Sequence, residues 1–385
     1  MMNGSGDSIY LDHNATSVVA PECIDAMLAC LRPGIGNPSS PHRAGVRAKE
    51  LIREARAQVA RLIGAADREV VFTSSGTEAN HMAILGALAE RPGHPHVVTS
   101  VVEHPSTLML LRHLEGHGVR VTYLPVDNSG RLSEAVVADA MTKDTALVTL
   151  MWANNETGVL FPIPAIAHAA HERGVLMHVD AVQAIGKLAI DLRQVPVDLV
   201  SISSHKLHAP AGAGALFVRK GIAITPLLFG HQERGRRGGT EGVAAIAAFG
   251  RACALAGDNI DSESLRVSRL RDRLEDGVLA LYPGARVNGA AAARLPNTSN
   301  VCFGAHDGEH LMDALDRNGV AVSVGAACAA GGMEPSHVLM AMGLDRRAAL
   351  ASIRFSLGRY NTEAEIDHVL TRLPGVLREV AASAA

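Results

Sequence analysis

Two apolar runs near the middle of the chain end abruptly in polar residues, and this pattern restricts the fold more than any other feature. Residues 175–179 run into Asp180, and residues 199–202 run into residues 203–206. Short apolar runs bounded by polar groups are typical of buried strands in an α/β protein. Either segment alone is equally compatible with a surface lysine or a helix-capping aspartate, so their meaning depends on where the other strands end.

Strand-like runs alternate with helix-forming segments through the first two thirds of the chain. The candidate strands are residues 70–73, 97–101, 146–151, 175–179, 199–203 and 214–218. Helix formers fill the stretches between them, for example residues 78–91 and 163–173. This alternation predicts an α/β fold with a mainly parallel sheet and helices on both faces.

The chain changes character after Gly257. A charged helix over residues 262–281 is followed by short strands at residues 286–287 and 300–303. We therefore predict a three-part division of the chain. Its parts are an N-terminal arm (1–15) that packs with the small domain, a large domain (16–255) and a smaller C-terminal α+β domain (256–385).

Composition narrows the functional class. The formal net charge of -3 argues against non-specific binding to nucleic acid or to an anionic membrane. No apolar run is long enough to span a bilayer, and the N-terminus lacks the basic and apolar regions of a signal peptide. The 5 cysteines are odd in number, widely spaced and without a Cys-x-x-Cys pair, which predicts reduced thiols in the cytoplasm.

Polar residues follow the ends of most of the predicted strands. They are Thr77, His104, Asn155, Asp180 and residues 203–206. In an open parallel α/β sheet, ligands bind outside the carboxyl ends of the strands. Any one of these residues could be an ordinary loop residue, but together they predict a ligand site at one edge of the sheet.

A lysine at one strand end and an aspartate at another are what pyridoxal phosphate chemistry requires. Lys206 supplies an amine for a Schiff base to the cofactor's aldehyde, and Asp180 keeps the pyridine nitrogen protonated so that the ring acts as an electron sink. Residues 73–77, between a strand and a helix start, are a candidate phosphate site, although a plain N-cap by Ser75 or Thr77 explains them equally well.

Other residues near these strand ends have suitable chemistry for the same cofactor. Ser203 and His205, beside the lysine, are candidates for completing the phosphate site. Gln183 is a candidate donor to the phenolate oxygen of the ring. His104 is a candidate for stacking on the ring or for moving protons, since its ordinary pKa suits either task.

Several long motifs carry a family resemblance. The chain resembles the cysteine desulfurases of the class-V aminotransferase superfamily, and most closely the nitrogen-fixation type, over nearly its whole length. The motifs are YLDHNAT at residues 10–16, GNPSS at 36–40, MWANNETG at 151–158, DAVQ at 180–183, HKLHAP at 205–210, HQERGRR at 231–237 and SIRFSLGR at 352–359. The resemblance implies a fold-type I (aspartate-aminotransferase-like) enzyme that binds pyridoxal 5'-phosphate and forms a homodimer with active sites at the subunit interface.

Carried over by position, the resemblance implies three groups of site residues. The cofactor ring would be held by Lys206, Asp180, Gln183, His104 and Asn155. The phosphate would be held by Gly76, Thr77, Ser203 and His205, while Thr240 would reach the phosphate of the partner subunit. The carboxylate of L-cysteine would be bound by Asn155 and Arg354, because a planar guanidinium matches a carboxylate with two hydrogen bonds.

Cys328 decides the predicted reaction. It lies in residues 324–333, where Gly325, Gly331 and Gly332 permit alternative backbone conformations that could carry a thiol between the site and the surface. By resemblance, the Cys328 thiolate attacks the sulfur of cofactor-bound cysteine, keeps it as a persulfide and releases alanine. The sulfur would pass to an iron–sulfur scaffold, including one that serves nitrogenase, or to another acceptor protein, and Cys328 would be the residue in contact with a nascent cluster.

The chain departs from the family next to this cysteine, and two other functions stay open. The usual Ser-Ser-Gly-Ser-Ala-Cys sequence is Ser-Val-Gly-Ala-Ala-Cys at residues 323–328, which removes hydroxyls before the thiol. The alternatives are a different pyridoxal phosphate enzyme, such as an aminotransferase or a selenocysteine lyase, and a non-catalytic sulfur-relay protein. The loop cysteine disfavours simple transamination, which needs no thiol, and Lys206, Asp180 and His104 disfavour an inactive relay.

Two further patterns are weaker. The pairs His168/His171 and His113/His117 have helical spacings that suit a metal ion, but neither has a third ligand nearby, so we predict no intrinsic metal site. The basic segment 231–237 contains no interleaved aromatic residues, so we interpret it as the rim of a site for phosphate and carboxylate and not as a nucleic-acid surface.

Overall fold

The computed structural model describes residues 8–32, 34–93, 95–304, 306–325, 328–329 and 332–383. The strands in this part of the chain are β1 (Ile9–Tyr10), β2 (Val70–Thr73), β3 (His96–Ser100), β4 (Arg120–Leu124), β5 (Thr145–Met151), β6 (Leu176–Asp180), β7 (Leu199–Ser203), β8 (Gly214–Val218), β9 (Arg286–Val287), β10 (Thr298–Cys302), β11 (Val320–Ala321), β12 (Cys328–Ala329), β13 (Gly332–Met333) and β14 (Ser352–Ser356).

Helices connect and cover these strands. The α-helices in the described residues are α1 (Pro21–Leu31), α2 (Arg43–Ile63), α3 (Gly76–Ala89), α4 (Pro105–Glu115), α5 (Glu134–Ala140), α6 (Ile163–Glu172), α7 (Val243–Gly257), α8 (Ile260–Leu281), α9 (Gly308–Arg317), α10 (His337–Ala341), α11 (Arg346–Leu350) and α12 (Glu363–Ser383). Short 3-10 turns lie at Asp67–Glu69, Ser204–Lys206 and Gln232–Gly235.

The large sheet has 7 strands in the order β2-β8-β7-β6-β5-β3-β4. All its neighbouring strands pair in parallel except β8, which is antiparallel to both β2 and β7. The six strands expected from the sequence are present, which confirms the mainly parallel sheet. The sequence pattern missed β4, because this edge strand begins with an exposed arginine and is only half-buried over most of its length.

Successive residues of the central strands pack on opposite faces of the sheet. Leu147 of β5 and Leu199 of β7 join a core that includes side chains of α3, whereas Val148 and Val200 join a larger core with α2 and α7. Both faces of β5, β6, β7 and β8 are buried. Helices therefore cover both faces, as the alternating pattern predicted, and only the ends of the strands are open to a ligand.

A second core lies around the antiparallel sheet β14-β10-β9. It collects buried side chains from α8, α9 and α12 together with Ile9 and Leu11 near the start of the chain. β1 also pairs in parallel with β11, with Ile9 opposite Val320. Val338 and Leu339 of α10, in contrast, pack into the core of the large sheet. The three-part division of the chain stays a prediction.

Among the described residues, no single helix is both long enough and apolar enough to cross a membrane. Helices α7 and α8 pass that test only when taken together, across a bend of 78°.

A buried ion pair fixes the segment that carries the HQERGRR motif. Glu233 accepts hydrogen bonds from both terminal nitrogens of Arg56, at 2.6 and 2.7 Å, and from the backbone N–H of Phe72 at 2.9 Å. Glu233 is 5% exposed and has a left-handed φ of 48°, as does Arg234 with a φ of 60°. The carboxylate therefore holds a strained turn against the edge of the sheet.

We expect Glu233→Ala to lower the free energy of unfolding by about 3–5 kcal/mol, because it leaves the buried Arg56 guanidinium without its counter-charge. Urea unfolding followed by circular dichroism measures this loss. The matched control is Glu172→Ala on the exposed surface of α6, which removes the same side chain without a buried partner. Equal losses for the two variants would contradict the role of the ion pair.

Candidate active site

The polar residues at the strand ends surround one cavity of about 420 Å³. Its lining includes the predicted residues Gly76, Thr77, His104, Asn155, Asp180, Gln183, Ser203, His205, Lys206 and Arg354. The predicted Thr240 does not line this cavity; it is exposed and borders a separate surface depression. The side chain of Cys328 lies outside the described part of the chain.

Asp180 is the last residue of β6, and two donors fix its carboxylate. The side-chain amide of Asn80 donates to one oxygen at 2.8 Å, and the backbone N–H of Val182 donates to the other at 3.0 Å. Asp180 is 8% exposed, and Asn80 is buried on α3. The carboxylate is thus presented to the cavity in one orientation, with its charge supported by hydrogen bonds.

Lys206 follows β7 and reaches toward the N-terminal arm. Its Nζ donates to the carbonyl oxygens of Asn14 at 2.5 Å and Ala15 at 2.6 Å. Burial lowers the pKa of Lys206 to about 8, with a further lowering by Arg354, while Asp12 and Asp180 act in the opposite direction. A lysine of this kind carries a useful fraction of free amine near neutral pH, as a nucleophile needs.

His104 caps the N-terminus of α4 and lines the cavity together with Asp180 and Lys206. Its Nδ1 accepts a hydrogen bond from the backbone N–H of Ser106 at 3.1 Å, so the proton of the neutral ring is on Nε2. Burial lowers the pKa of His104, Asp180 acts to raise it, and Lys206 and His337 lower it further. His104 is therefore a neutral imidazole that can donate from Nε2.

The N-terminus of α3 forms the anion-binding end of the cavity. The helix begins at Gly76, two residues earlier than expected, with Ser75 as its N-cap: the Ser75 hydroxyl accepts from the backbone N–H of Glu78 at 3.1 Å. A Cβ on Gly76 would lie 2.8 Å from Val182 and 3.3 Å from the Cβ of Ser203. Only glycine permits this close packing of the helix start against Val182 and Ser203, and the first N–H groups of the helix favour an anion.

Arg354 on β14 reaches the cavity from the small antiparallel sheet. One terminal nitrogen donates to Asp12 at 2.6 Å and the other to the carbonyl oxygen of Asn155 at 3.2 Å. Its side chain is 6% exposed, and its buried Nε has no hydrogen-bond partner among the residues that the structure describes. A buried guanidinium with an unsatisfied donor next to a cavity is suited to a carboxylate ligand.

Sequence reasoning missed four residues that hold the site together. Asn14 and Asp12 lie in the YLDHNAT motif, but no role followed from their type or position. Asn80 is on α3, four residues beyond Gly76, and Lys187 is four residues beyond Gln183. On α3 a spacing of four puts Asn80 on the same helix face as Gly76, but nothing in the sequence indicates which groups Asn80 and Lys187 contact.

Glu156, next to Asn155, touches both ends of the segment that contains Cys328. Its carboxyl accepts a hydrogen bond from Ser336, the N-cap of α10, and a Cβ on Gly325 would lie 2.7 Å from its Oε2. Gly325 has a φ of 65°, so both its conformation and its contact require glycine. Burial raises the pKa of Glu156 to about 7, against opposing effects of Ser336 and Arg354.

The four cysteines other than Cys328 are buried. Burial raises the pKa of Cys23 to about 11 and also raises those of Cys30 and Cys253. Cys302 is fully buried on β10, and its thiol donates to the carbonyl oxygen of Ala348 at 3.4 Å. None of these four thiols has the environment of a reactive thiolate.

Within the described ranges, no three His, Cys, Asp or Glu side chains are grouped so that they could hold a metal ion. The arginines of the basic segment have partners inside the protein. Arg237 pairs with Glu78 at 2.8 Å, and Arg234 donates to the carbonyl oxygen of Val70 at 3.0 Å.

Comparisons with known proteins agree with this geometry. A family model described as Aminotransferase class-V matches residues 9–369. Cysteine desulfurase NifS of Azotobacter vinelandii is 46% identical over 374 residues, which cover 97% of this chain and 93% of that protein. A solved structure titled as a NifS-like protein has 34% identity and a TM-score of 0.90. The match covers 97% of this chain and 100% of that one. Another solved structure, titled SspA in complex with cysteine, has 33% identity and a TM-score of 0.81. The match covers 92% of this chain and 100% of that one.

The order of the strands and the polar groups at the carboxyl edge of the sheet identify the fold of this chain as that of the fold-type I pyridoxal-phosphate enzymes. The chain belongs to the class-V aminotransferase family and, within it, to the cysteine desulfurases.

We expect Glu156→Gln to flatten the pH dependence of stability. Because the folded pKa of Glu156 is about 7, above the ordinary 4.5, the stability gained from its protonated form is complete below about pH 4.5 and is lost as the pH rises through 7. The glutamine stays neutral, so relative to the unmodified protein the variant should gain on the order of 3 kcal/mol between about pH 5 and about pH 8.

Urea unfolding at several pH values measures this difference. Glu172→Gln on the exposed face of α6 is the control, and its free energy of unfolding should change with pH in parallel with that of the unmodified protein. A Glu156→Gln variant whose stability also runs parallel would show that Glu156 is ionised throughout this range.

Proposed function

We propose that this protein is a pyridoxal-phosphate-dependent cysteine desulfurase that converts L-cysteine to L-alanine and leaves the sulfur as a persulfide on Cys328. The observation that carries the proposal is the convergence of Lys206, Asp180 and the unsatisfied Arg354 donor on one cavity. The relatives named cysteine desulfurase and the related structure titled as a cysteine complex support the choice of substrate.

The residues present fit pyridoxal phosphate. The first N–H groups of α3 suit its phosphate, with Ser203 and His205 beside them, and Gly76 lets Val182 and Ser203 pack closely against this helix end. Asp180 is held ready for the pyridinium nitrogen by Asn80 and Val182. When bound, the cofactor supplies an electron sink for the substrate amino acid.

The substrate carboxylate would be bound by Arg354 and Asn155. Within the described residues the Arg354 Nε has no hydrogen-bond partner, and the ion pair with Asp12 keeps the guanidinium plane fixed. A carboxylate held at the side of β14 would leave the amino and thiol ends of cysteine directed toward Lys206 and the interior of the cavity.

Two groups can move protons between the substrate and the site. The Lys206 amine, with a pKa of about 8, can take a proton at Nζ and return it close to neutral pH. His104 holds a proton on Nε2 and can donate it, because its Nδ1 is already occupied by the Ser106 N–H. We assign catalytic roles to Lys206, His104 and Cys328.

The sulfur transfer balances with one thiol and no external oxidant. The Cys328 sulfur forms a bond to the sulfur of the substrate while the bond from that sulfur to the substrate Cβ breaks. The Cβ is reduced and gains a proton to give alanine, and the transferred sulfur is oxidised to the sulfane level as Cys328–S–SH. The thiolate is the attacking form, and the other thiols are buried away from the cavity.

We further propose a cytoplasmic homodimer that passes its sulfur to an iron–sulfur scaffold or another acceptor protein, including one that serves nitrogenase. Around Thr240, the apolar residues Met27, Leu31 and Val243 line an open depression, and the nearby Phe229 is 82% exposed. An apolar surface of this kind beside a residue expected to reach the partner's phosphate fits a second copy of the chain.

The proposed activity predicts sulfide and alanine in equal amounts when the purified protein receives pyridoxal phosphate, L-cysteine and a thiol reductant. Lys206→Ala should abolish both products and the visible absorbance of the covalently attached cofactor. Cys328→Ala should keep the absorbance and its response to cysteine while both products fall to background. Without reductant, mass spectrometry should find one extra sulfur on the Cys328 peptide.

Cys302→Ala is the matched control for the cysteine variant and should turn over normally once folded. Near-normal turnover by Cys328→Ala, or a persulfide on one of the other four cysteines, would refute the proposed sulfur transfer. Formation of a keto acid without sulfide would instead favour an aminotransferase, and turnover of selenocysteine but not cysteine would favour a selenocysteine lyase.

We expect Arg354→Ala to reduce kcat/KM for cysteine by on the order of 30-fold or more, mainly through KM, because it removes a charge-assisted contact with the substrate carboxylate. Cofactor absorbance should persist. Asp12→Asn is the control, since it weakens the ion pair but leaves the guanidinium in place, and its loss should be much smaller. Equal losses in the two variants would mean that Arg354 acts through the ion pair alone.

A further inference from the structure

Lys187 is a buried cation that the proposed mechanism does not use, and it lies directly behind the cavity. It does not line that cavity; together with Lys206, His208 and Glu263 it lines a small separate cavity of about 50 Å³. Its Nζ donates to both oxygens of Gln183, at 3.0 Å to the backbone carbonyl and at 2.9 Å to the side-chain Oε1. Any effect on a bound ligand must therefore pass through Gln183 or through space.

The chain is folded so that Lys187 turns back over Gln183. Two successive turns, closed by the N–H groups of Ile185 and Lys187, reverse the chain directly after β6. Between them Gly186 has a φ of 78°, and a Cβ there would lie 2.1 Å from a methyl of Leu207, the residue after Lys206. The hydroxyl of Ser264 on α8 donates to the Lys187 carbonyl at 2.7 Å. The turn is thus fixed on both sides.

These contacts determine which end of the Gln183 amide faces the site. The amide Nε2 donates to the carbonyl of Asn14 at 3.0 Å, and that carbonyl also accepts from Lys206. A lysine ammonium can only donate, and a carbonyl can only accept, so the amide cannot flip without losing both contacts. The second N–H of Gln183, which lines the cavity, is left for a ligand.

We propose that Lys187 is a positioning residue that orients and polarises Gln183, so that its amide N–H donates strongly to the negatively charged ring oxygen of the cofactor. The inference rests on the proposed function. A cation on the carbonyl end of an amide strengthens donation from its N–H end, as in other chains of hydrogen bonds. The orienting part of this role survives loss of the lysine charge, since a neutral amine still has two N–H bonds for the two oxygens of Gln183.

The charges around Lys187 are mostly positive. Burial lowers the pKa of Lys187 to about 7, and Lys206 and Arg354 lower it further. The other titratable or charged groups that face it are His13, His205, His208, Glu263 and Arg359. Burial is also the main reason for the lowered pKa of each of these three histidines. A lysine retained among cations needs specific acceptors, and both of its described acceptors belong to Gln183.

The test uses the holoenzyme and the pH midpoint at which the visible absorbance of the bound cofactor changes. Lys187→Met should raise this midpoint by about half a pH unit or more, the size expected when a hydrogen bond to a charged group is weakened. Lys187→Arg, which keeps a charge and donors, should restore most of the shift. Lys220→Met, at an exposed lysine, is the control for a change in net charge and should leave the midpoint unchanged.

A double-mutant cycle separates the proposed route from a through-space effect. In a Gln183→Ala background, Lys187→Met should move the midpoint little, because the amide that transmits the effect is gone. An equal shift in both backgrounds would overturn the proposal in favour of a bare charge effect. A lowered melting temperature of the apoprotein with an unmoved midpoint would overturn it in favour of a purely structural role.

The outcomes also distinguish this inference from the proposed function. A protein that takes up no pyridoxal phosphate would refute both. A protein that takes up the cofactor and releases sulfide, but whose midpoint is unaffected by Lys187→Met, would refute only the role of Lys187.

Discussion

The hydrogen bonds of Asn14 hold the parts of the site together. This residue is 2% exposed, and its backbone and side-chain polar groups bind partners from distant parts of the chain. Its carbonyl accepts from Lys206 and Gln183. Its other polar groups contact Asn155, Asn297, Thr298 and Ser356. One buried asparagine thus joins the large sheet, the small antiparallel sheet and the N-terminal arm, and loss of any of these contacts would leave a buried polar group unsatisfied.

The electrostatics of the cavity are arranged for anionic ligands. Arg354 lowers the pKa of both Lys206 and Lys187, and Lys206 also lowers that of Lys187. The carboxylates of Asp12 and Asp180 act in the opposite direction on Lys206. The result is a site with spare positive charge at the edge of the sheet. A phosphate and an amino-acid carboxylate would supply the missing negative charge, so ligand binding and relief of repulsion are coupled.

Much of this arrangement could be predicted from the sequence, and the rest could not for definite reasons. The buried strands and their polar ends follow from local patterns, so the position of Asp180 and Lys206 at one sheet edge was predictable. The edge strand β4 has no continuous apolar run, and the contacts of Asn14, Asn80 and Lys187 join residues that local patterns do not relate. The chemical roles given to Lys206, Asp180 and the other site residues, including Thr240 and Cys328, stay predictions.

The pairing of β1 with β11 has a consequence for how the chain acquires its site. Asn14 and Ser356, which are hydrogen-bonded in the folded protein, are separated by 342 positions in sequence. During synthesis the arm leaves the ribosome first, whereas its partners leave it last. The strands of the large sheet can therefore pair while the acceptors of the Lys206 amine are still undocked, and β1 must wait with its edge unpaired. Such non-local closure is slow, so the interval before the arm docks is when a nascent chain is most exposed to aggregation.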